Sequence, residues 1–243
     1  MASRGEGKTL KSIAAPGVRS FLRKENVFTA KGKPGPHNKH DSVPLSFALT
    51  KLLDAAENLK EARILLVGEK VKVNGVARKK ASFPVGLFDV VELTPMKKKF
   101  RAVLDRKGRL EFRGIDFGSK DFKVSKIVNK RAVKGGKILL TTNDGFTIEA
   151  GKEKAGVGDS VKISLPGRKV ESVLHLKGGN IAYITGGTHV GEIIKIESVA
   201  SGSLQRKKLV SLGEKDSSFL TVIRNVFVVG KEKPEIVVLR EEK

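Results

Sequence analysis

The run GGNIAYITGGTHVGEIIKI, Gly178 to Ile196, gathers five glycines among strand-forming residues. A glycine-rich turn can cradle a phosphate, but a P-loop also needs Lys followed by Ser or Thr at a helix start. This run lacks that pair, and its β-branched residues argue against a helix. A dinucleotide fingerprint fails because no βαβ unit surrounds it. Each glycine is therefore expected at a turn, a bulge or a close backbone approach. His37 and His40 in PHNKH have a metal-like spacing, yet the chain has no cysteine to complete a thiolate set. His175 sits in an alternating strand and is read as a packing residue. Asp105, Asp116, Asp144 and Asp159 stand mostly beside glycines or turns, where Asp caps the backbone. No pair of them can be brought together from spacing, so acid–base catalysis has no visible constellation. No metal, cofactor or small-molecule substrate is implied.

The remaining chemistry is charge. Among 243 residues, 48 Lys+Arg oppose 26 Asp+Glu, a formal net charge of +22. Such a surplus repels itself and calls for a polyanionic partner. Nucleic acid leads, because Lys and Arg displace its condensed counterions. A membrane surface is disfavoured: no apolar run of membrane-spanning length and no long basic amphipathic helix is present. Trp is absent and aromatics make up 5% of the chain, which favours binding through backbone and shape over base stacking. His37 and His40 then read as RNA contacts or as solvent-exposed. The absence of cysteine fits a cytosolic protein, and MASRGEGKTLKSIAAPG has no apolar signal core.

These cations need elements to position them. Residues 1–42 form a basic, Gly/Pro-rich arm. Met1 to His40 holds nine Lys/Arg against two Glu. Such a segment is expected to bury little, to be irregular, and to order on RNA. Its candidate contacts are Arg4, Lys8, Lys11, Arg19, Arg23, Lys24, Lys31, Lys33 and Lys39. Residues 43–95 follow. Leu45, Ala48, Leu49, Leu52, Leu53 and Ala56 recur at helical spacing, with Asp41 or Ser42 as cap and Pro44 at the first helical position. Asn58 with Glu61 forms a capping box for a second helix that stops near Gly68. KVKVNGVARKK then predicts a hairpin at Asn74-Gly75, with Arg78 and Lys80 on one side of its return strand and Lys79 on the other. Residues 96–173 read as β-rich, with turns at Lys107-Gly108, Gly135-Gly136 and Asp144-Gly145. Met96 to Arg113 alone holds eight Lys/Arg; Lys97, Lys98, Lys99, Arg101, Arg106, Lys107 and Arg109 are candidate contacts. Residues 174–243 close the chain with a charge-balanced tail, KEKPEIVVLREEK.

Two helices, a glycine, VKVNG and a returning basic strand resemble the S-four RNA-binding domain, a compact unit of ribosomal proteins and RNA-modifying enzymes. The resemblance implies RNA contacts at Lys51, Arg63, Lys70, Lys72, Arg78, Lys79 and Lys80. That domain has glycine two residues before the first strand valine, where this chain has Glu69. ITGGTHVGEIIKI resembles a KOW motif, a strand–turn–strand element of SH3-like barrels, which implies that Thr188 and His189 form a tip reaching RNA or protein; Ile194 stands where that motif has another glycine. In order, the arm, the S-four unit, the β-rich middle and the KOW segment resemble the S-four-e family of small-subunit ribosomal proteins, and the chain's end after Lys243 resembles the archaeal branch. The fold implied is α+β and multidomain, with barrel-like β-rich domains. The function implied is a structural, non-catalytic, rRNA-bound ribosomal component in the cytoplasm, beside neighbouring ribosomal proteins. Two other classes were weighed: an RNA-modifying enzyme, for which no catalytic domain is apparent, and a translation or transcription factor that binds protein through the KOW barrel.

Overall fold

The computed structural model describes residues 9–117, 121–134, 136–150, 155–167, 169–200, 208–213 and 218–236. The chain divides into two compact units: residues 1–102 with 109–117, and residues 103–108 with 118–243.

In the first unit, β1 (Leu10–Lys11) pairs with β2 (Phe28–Thr29), and the rest of residues 9–41 is turns and irregular chain. The irregular chain matches the composition, but the segment buries more than that composition suggests. Leu10, Ala15 and Val18 are buried. Val18 O accepts from Leu110 N at 2.9 Å, and Lys33 N donates to Ser82 O at 2.9 Å. Small and apolar residues between the lysines supply contacts that the segment's composition conceals.

β3 (Ser42–Pro44) pairs antiparallel with β6 (Pro84–Gly86). Ser42 therefore belongs to a strand and caps no helix. Pro44 is the N-cap residue, not the first helical one. Helix α1 (Leu45–Phe47) widens at once into a π-turn over Ala48–Leu52, with Leu53 N donating to Ala48 O. Leu45, Ala48, Leu49 and Ala56 are buried, so the apolar face predicted by spacing forms although the ladder does not stay α. Helix α2 (Leu59–Val67) begins as its capping box predicts. Asn58 Oδ1 accepts from Lys60 N and Glu61 N at 2.9 and 3.0 Å, and Glu61 Oε2 reaches back to Glu57 N at 2.9 Å. Gly68 ends it.

The first unit's five-stranded sheet runs β5 (Val76–Ala77), β4 (Val71–Val73), β7 (Val90–Leu93), β8 (Lys98–Leu104), β9 (Leu110–Ile115). Asn74 and Gly75 both adopt positive φ, 53° and 75°, as a two-residue primed turn demands. The asparagine also crosslinks: its Oδ1 accepts from Val90 N at 2.9 Å and its Nδ2 donates to Asp89 Oδ1 at 2.7 Å.

The second unit holds two five-stranded antiparallel sheets. One runs β12 (Thr147–Glu149), β11 (Ile138–Thr142), β10 (Phe122–Ala132), β13 (Ser160–Ser164), β14 (Val170–Leu174). The eleven-residue β10 pairs with β13 through its first half and with β11 through its second, across a bulge between Ile127 and Asn129. Ile127, Leu140, Val161 and Ile163 form its core. The other sheet runs β18 (Phe219–Val222), β17 (Leu209–Leu212), β16 (Ile193–Val199), β15 (Ile181–Ile184), β19 (Val226–Gly230), over Ala182, Ile184, Ile196, Val210, Leu212 and Val228. The α+β expectation is thus met coarsely: the protein is mostly sheet, with few and short helices.

The glycine run between β14 and β16 serves turns and close approaches. A Cβ on Gly178 would lie 2.5 Å from Glu197 O, and one on Gly191 would lie 3.0 Å from the Asp105 backbone. Gly187 turns with φ 102°. No phosphate cradle is needed to account for any of the three.

Candidate nucleic-acid interface

Strand period decides which predicted cations reach solvent. Along β8, Lys98 is exposed while Lys99 and Arg101 point to the buried side, 9% and 4% exposed. Lys99 Nζ lies 5.0 Å from the Phe117 ring centroid. Arg19 is likewise buried, 3% exposed, and its guanidinium donates to Ala30 O at 2.7 Å. Burial lowers its pKa to about 10. Burial withdraws these three from the exposed set. Arg4 and Lys8 lie outside the described residues.

Lys11, Lys24, Lys33, Lys51, Arg63, Lys70, Lys79, Lys80, Lys97, Arg106, Lys107 and Arg109 are exposed, as is Thr188. Arg23, Lys31, Lys39, Lys72, Arg78 and His189 are half-buried. Several already have partners. Arg23 donates to Ile13 O and Ala15 O at 3.0 and 2.8 Å, tying a turn of the N-terminal segment. Lys51 lies 3.8 Å from Glu25, and Lys72 lies 3.3 Å from Glu92.

The expected alternation of Arg78, Lys79 and Lys80 does not occur, because β5 ends at Ala77. Arg78 instead lies over the Phe83 ring, 4.5 Å from its centroid. Lys79 pairs with Glu69 at 2.7 Å, and that hydrogen bond holds the Glu69 carboxyl below its ordinary pKa. Glu69 itself has φ 55°, the left-handed conformation that favours glycine, at the position where the S-four pattern has one. The backbone keeps the glycine-like shape while the side chain offsets a neighbouring lysine.

The histidines resolve differently from expectation. His37 is neither solvent-exposed nor turned outward: its Nε2 lies 2.8 Å from Asp89 Oδ2, with the two side chains 6% and 0% exposed. Gly86 makes room, since a Cβ there would lie 2.4 Å from the His37 ring. Asp89 also accepts from Gly86 N at 2.9 Å and from Asn74. His40 is exposed. His175 Nδ1 lies 2.9 Å from Asp159 Oδ2, and Asp159 also accepts from Gly156 N and Leu176 N, the backbone-capping role read for it. His189 stacks on Phe219 with centroids 4.2 Å apart and bonds Glu192 at 3.0 Å. The exposed part of that tip is therefore Thr188, with His189 held against the sheet.

Two buried ion systems escaped sequence reasoning. Lys123 Nζ meets Asp144 Oδ2 at 2.9 Å with side chains 3% and 0% exposed, and Ser125 Oγ donates to the same oxygen at 2.6 Å. Lys126 Nζ donates to Val226 O at 2.8 Å and also to Ile223 O. Burial and nearby Arg224 lower its pKa to about 8. The signal for the first pair was present as KVSK facing a turn Asp; the second depends on a distant strand and has no local signature.

Among the described residues no group of three metal-ligating side chains forms, and no helix is long and apolar enough to cross a membrane. Exposed cations on a sheet-built fold, with turns fixed by Asp and Asn side chains, define a basic, β-rich protein. Comparison narrows the class. Residues 96–170 match the ribosomal family S4e. The chain is 37% identical over 236 residues to small ribosomal subunit protein eS4 of Methanosphaera stadtmanae, covering 97% of this chain and 98% of the relative. The eS4 of Methanococcus maripaludis is 38% identical over 245 residues, covering 97% and 99%. The crystal structure of 30S ribosomal protein S4e from Thermoplasma acidophilum superposes with a TM-score of 0.67 at 28% identity, covering 79% of this chain and 96% of that one. The chain belongs to the S4e family of ribosomal proteins, which are structural, non-enzymatic components of the small subunit.

Proposed function

We propose that this chain is an rRNA-binding constituent of the small ribosomal subunit, ribosome-bound in the cytoplasm. Contact is assigned to the basic segment 1–42, an S-four unit over 43–95, a β-rich middle over 96–173 and a KOW barrel within 174–243. The observation that carries this reading is a formal charge of +22 on a chain alike to eS4 proteins over 97% of its length. The capping box, the Asn74-Gly75 turn and the positive φ of Glu69 support the S-four assignment. The glycine approaches around β15 and β16 support the KOW assignment.

The test is retention on small subunits through a high-salt sucrose gradient, followed by titration of purified protein onto small-subunit rRNA. A core component stays bound, and log affinity falls linearly and steeply with log salt. Release at moderate salt, or a nearly flat salt dependence, would favour a loosely associated factor and overturn the proposal.

A further inference from the structure

A cleft of about 890 Å³ opens in the first unit, lined by Arg19, the loop from Lys31 to Lys39, Ser42 and Pro44. Its size falls in the range of small-molecule pockets, far above what a lone anion fills. Its chemistry is one-sided. Lys31, Lys33, Lys39 and Arg19 line it, and among the described residues no carboxylate does. Pro34, Pro36 and Pro44 add apolar ring surface. Arg19 is 3% exposed, and its Nε has no hydrogen-bond partner among the described residues. Its guanidinium donates to Ala30 O and adds positive charge at the cleft wall.

The loop is held in place. Lys33 N bonds Ser82 O, His37 bonds Asp89, and Ser42 Oγ donates to Asn38 O at 2.7 Å. A preformed cavity with cations and apolar proline walls matches a nucleotide in its parts: phosphate for the cations, base for the proline surface. Amino-acid or amine ligands would need a carboxylate that the described lining lacks.

We infer that this cleft takes one unstacked nucleotide from a single-stranded or looped stretch of RNA. The inference rests on the RNA-binding reading above and deepens it. Regular duplex does not offer an extruded base, so the cleft distinguishes RNA forms that the lysines elsewhere on the protein do not.

Gly32 allows a test that leaves every charge in place. A Cβ there meets Pro44 Cγ at 3.9 Å, an ordinary contact, so Gly32→Leu fills the cleft without a backbone clash. The full chain and its Gly32→Leu variant are titrated with a short single-stranded RNA and with a blunt RNA duplex. Single-strand affinity should fall about tenfold, the scale of one lost base contact, while duplex affinity stays within about twofold. Photocrosslinking of a thiouridine-bearing single strand to the wild-type chain should map to residues 31–39, a readout independent of the variant's folding. Equal loss on both RNAs, no loss on either, or crosslinks mapping elsewhere overturns the inference. Equal competition by polyphosphate against wild type and Gly32→Leu would assign the cleft to plain polyanion attraction, which also overturns it. If wild type fails to bind either RNA, it is the ribosomal reading that falls.

Discussion

Asp89→Ala tests whether the N-terminal basic segment is built into the first unit. Asp89 is fully buried, and its carboxylate accepts from His37 Nε2 at 2.8 Å, Asn74 Nδ2 at 2.7 Å and Gly86 N at 2.9 Å. Alanine strands three donors in a buried place, each worth about 1–3 kcal/mol when left unmade. Allowing for partial relaxation, the expected loss is about 3–5 kcal/mol, a large share of the ~5–15 kcal/mol available to a domain. Asp89→Asn keeps the shape but turns one acceptor into a donor. Asn74 cannot flip to compensate, because its Oδ1 already accepts from Val90 N. One bond is lost, so about 1–2 kcal/mol is expected. The assay is native-state hydrogen exchange. Amides of Lys33, Leu45 and Asn74, which bond Ser82 O, Phe83 O and Val90 O, should lose protection. The amide of Ile184 in the second unit, bonded to Glu192 O, should keep it. If Asp89→Ala costs under about 1 kcal/mol, or if Lys33 exchanges freely in the wild-type protein, the segment is not anchored through this carboxylate.

Other outcomes follow from the buried ions and the hairpin. Asp144→Ala should cost about 3–5 kcal/mol by stranding the Lys123 ammonium, and Lys123→Met with Asp144→Leu should recover most of it; urea unfolding followed by fluorescence of Tyr183, the chain's one tyrosine, reads both. Lys126 binds fewer protons folded than unfolded between pH 8 and its ordinary 10.5. Its contribution to stability should therefore rise with pH through that window, by about 1 kcal/mol from pH 8 to 9, and Lys126→Met should abolish the rise. Lys80→Ala, at an exposed residue beyond β5, should reduce the RNA salt slope by about 1, whereas Arg78→Ala, removing the cation over Phe83, should lower stability; unchanged slope for Lys80→Ala would remove that residue from the interface.

Local rules were legible where one residue and its near neighbours decide the outcome. The Asn58 cap, the stop at Gly68, the Asn74-Gly75 turn and the positive φ of Gly108 and Gly145 follow from backbone chemistry at each position. The misreadings share a cause, which is tertiary partners that spacing does not show. Ser42 does not cap the helix because Ser42–Pro44 pairs with Pro84–Gly86, with Leu45 N donating to Phe83 O. His37 was read as solvent- or RNA-facing because its acid lies 52 residues away. The alternation after Gly75 failed because the strand ends at Ala77.

Charge was the strongest signal for function and the least specific for sites. A count of cations treats every Lys and Arg as available to a polyanion, yet this fold spends several internally. Lys99 lies against an aromatic ring, Lys123 neutralises Asp144, Lys126 gathers the carbonyls of Ile223 and Val226, and Arg23 ties a turn. Each is held by partners that a phosphate would have to displace at a cost of breaking made hydrogen bonds. The RNA salt slope should therefore fall well short of one counterion per basic residue. Arg19 differs in its place: it donates to Ala30 O and also lines the cleft. On the cleft proposal, specific contact falls to the cleft walls between Lys31 and Lys39, where cations meet proline surface, while the exposed lysines supply the general attraction.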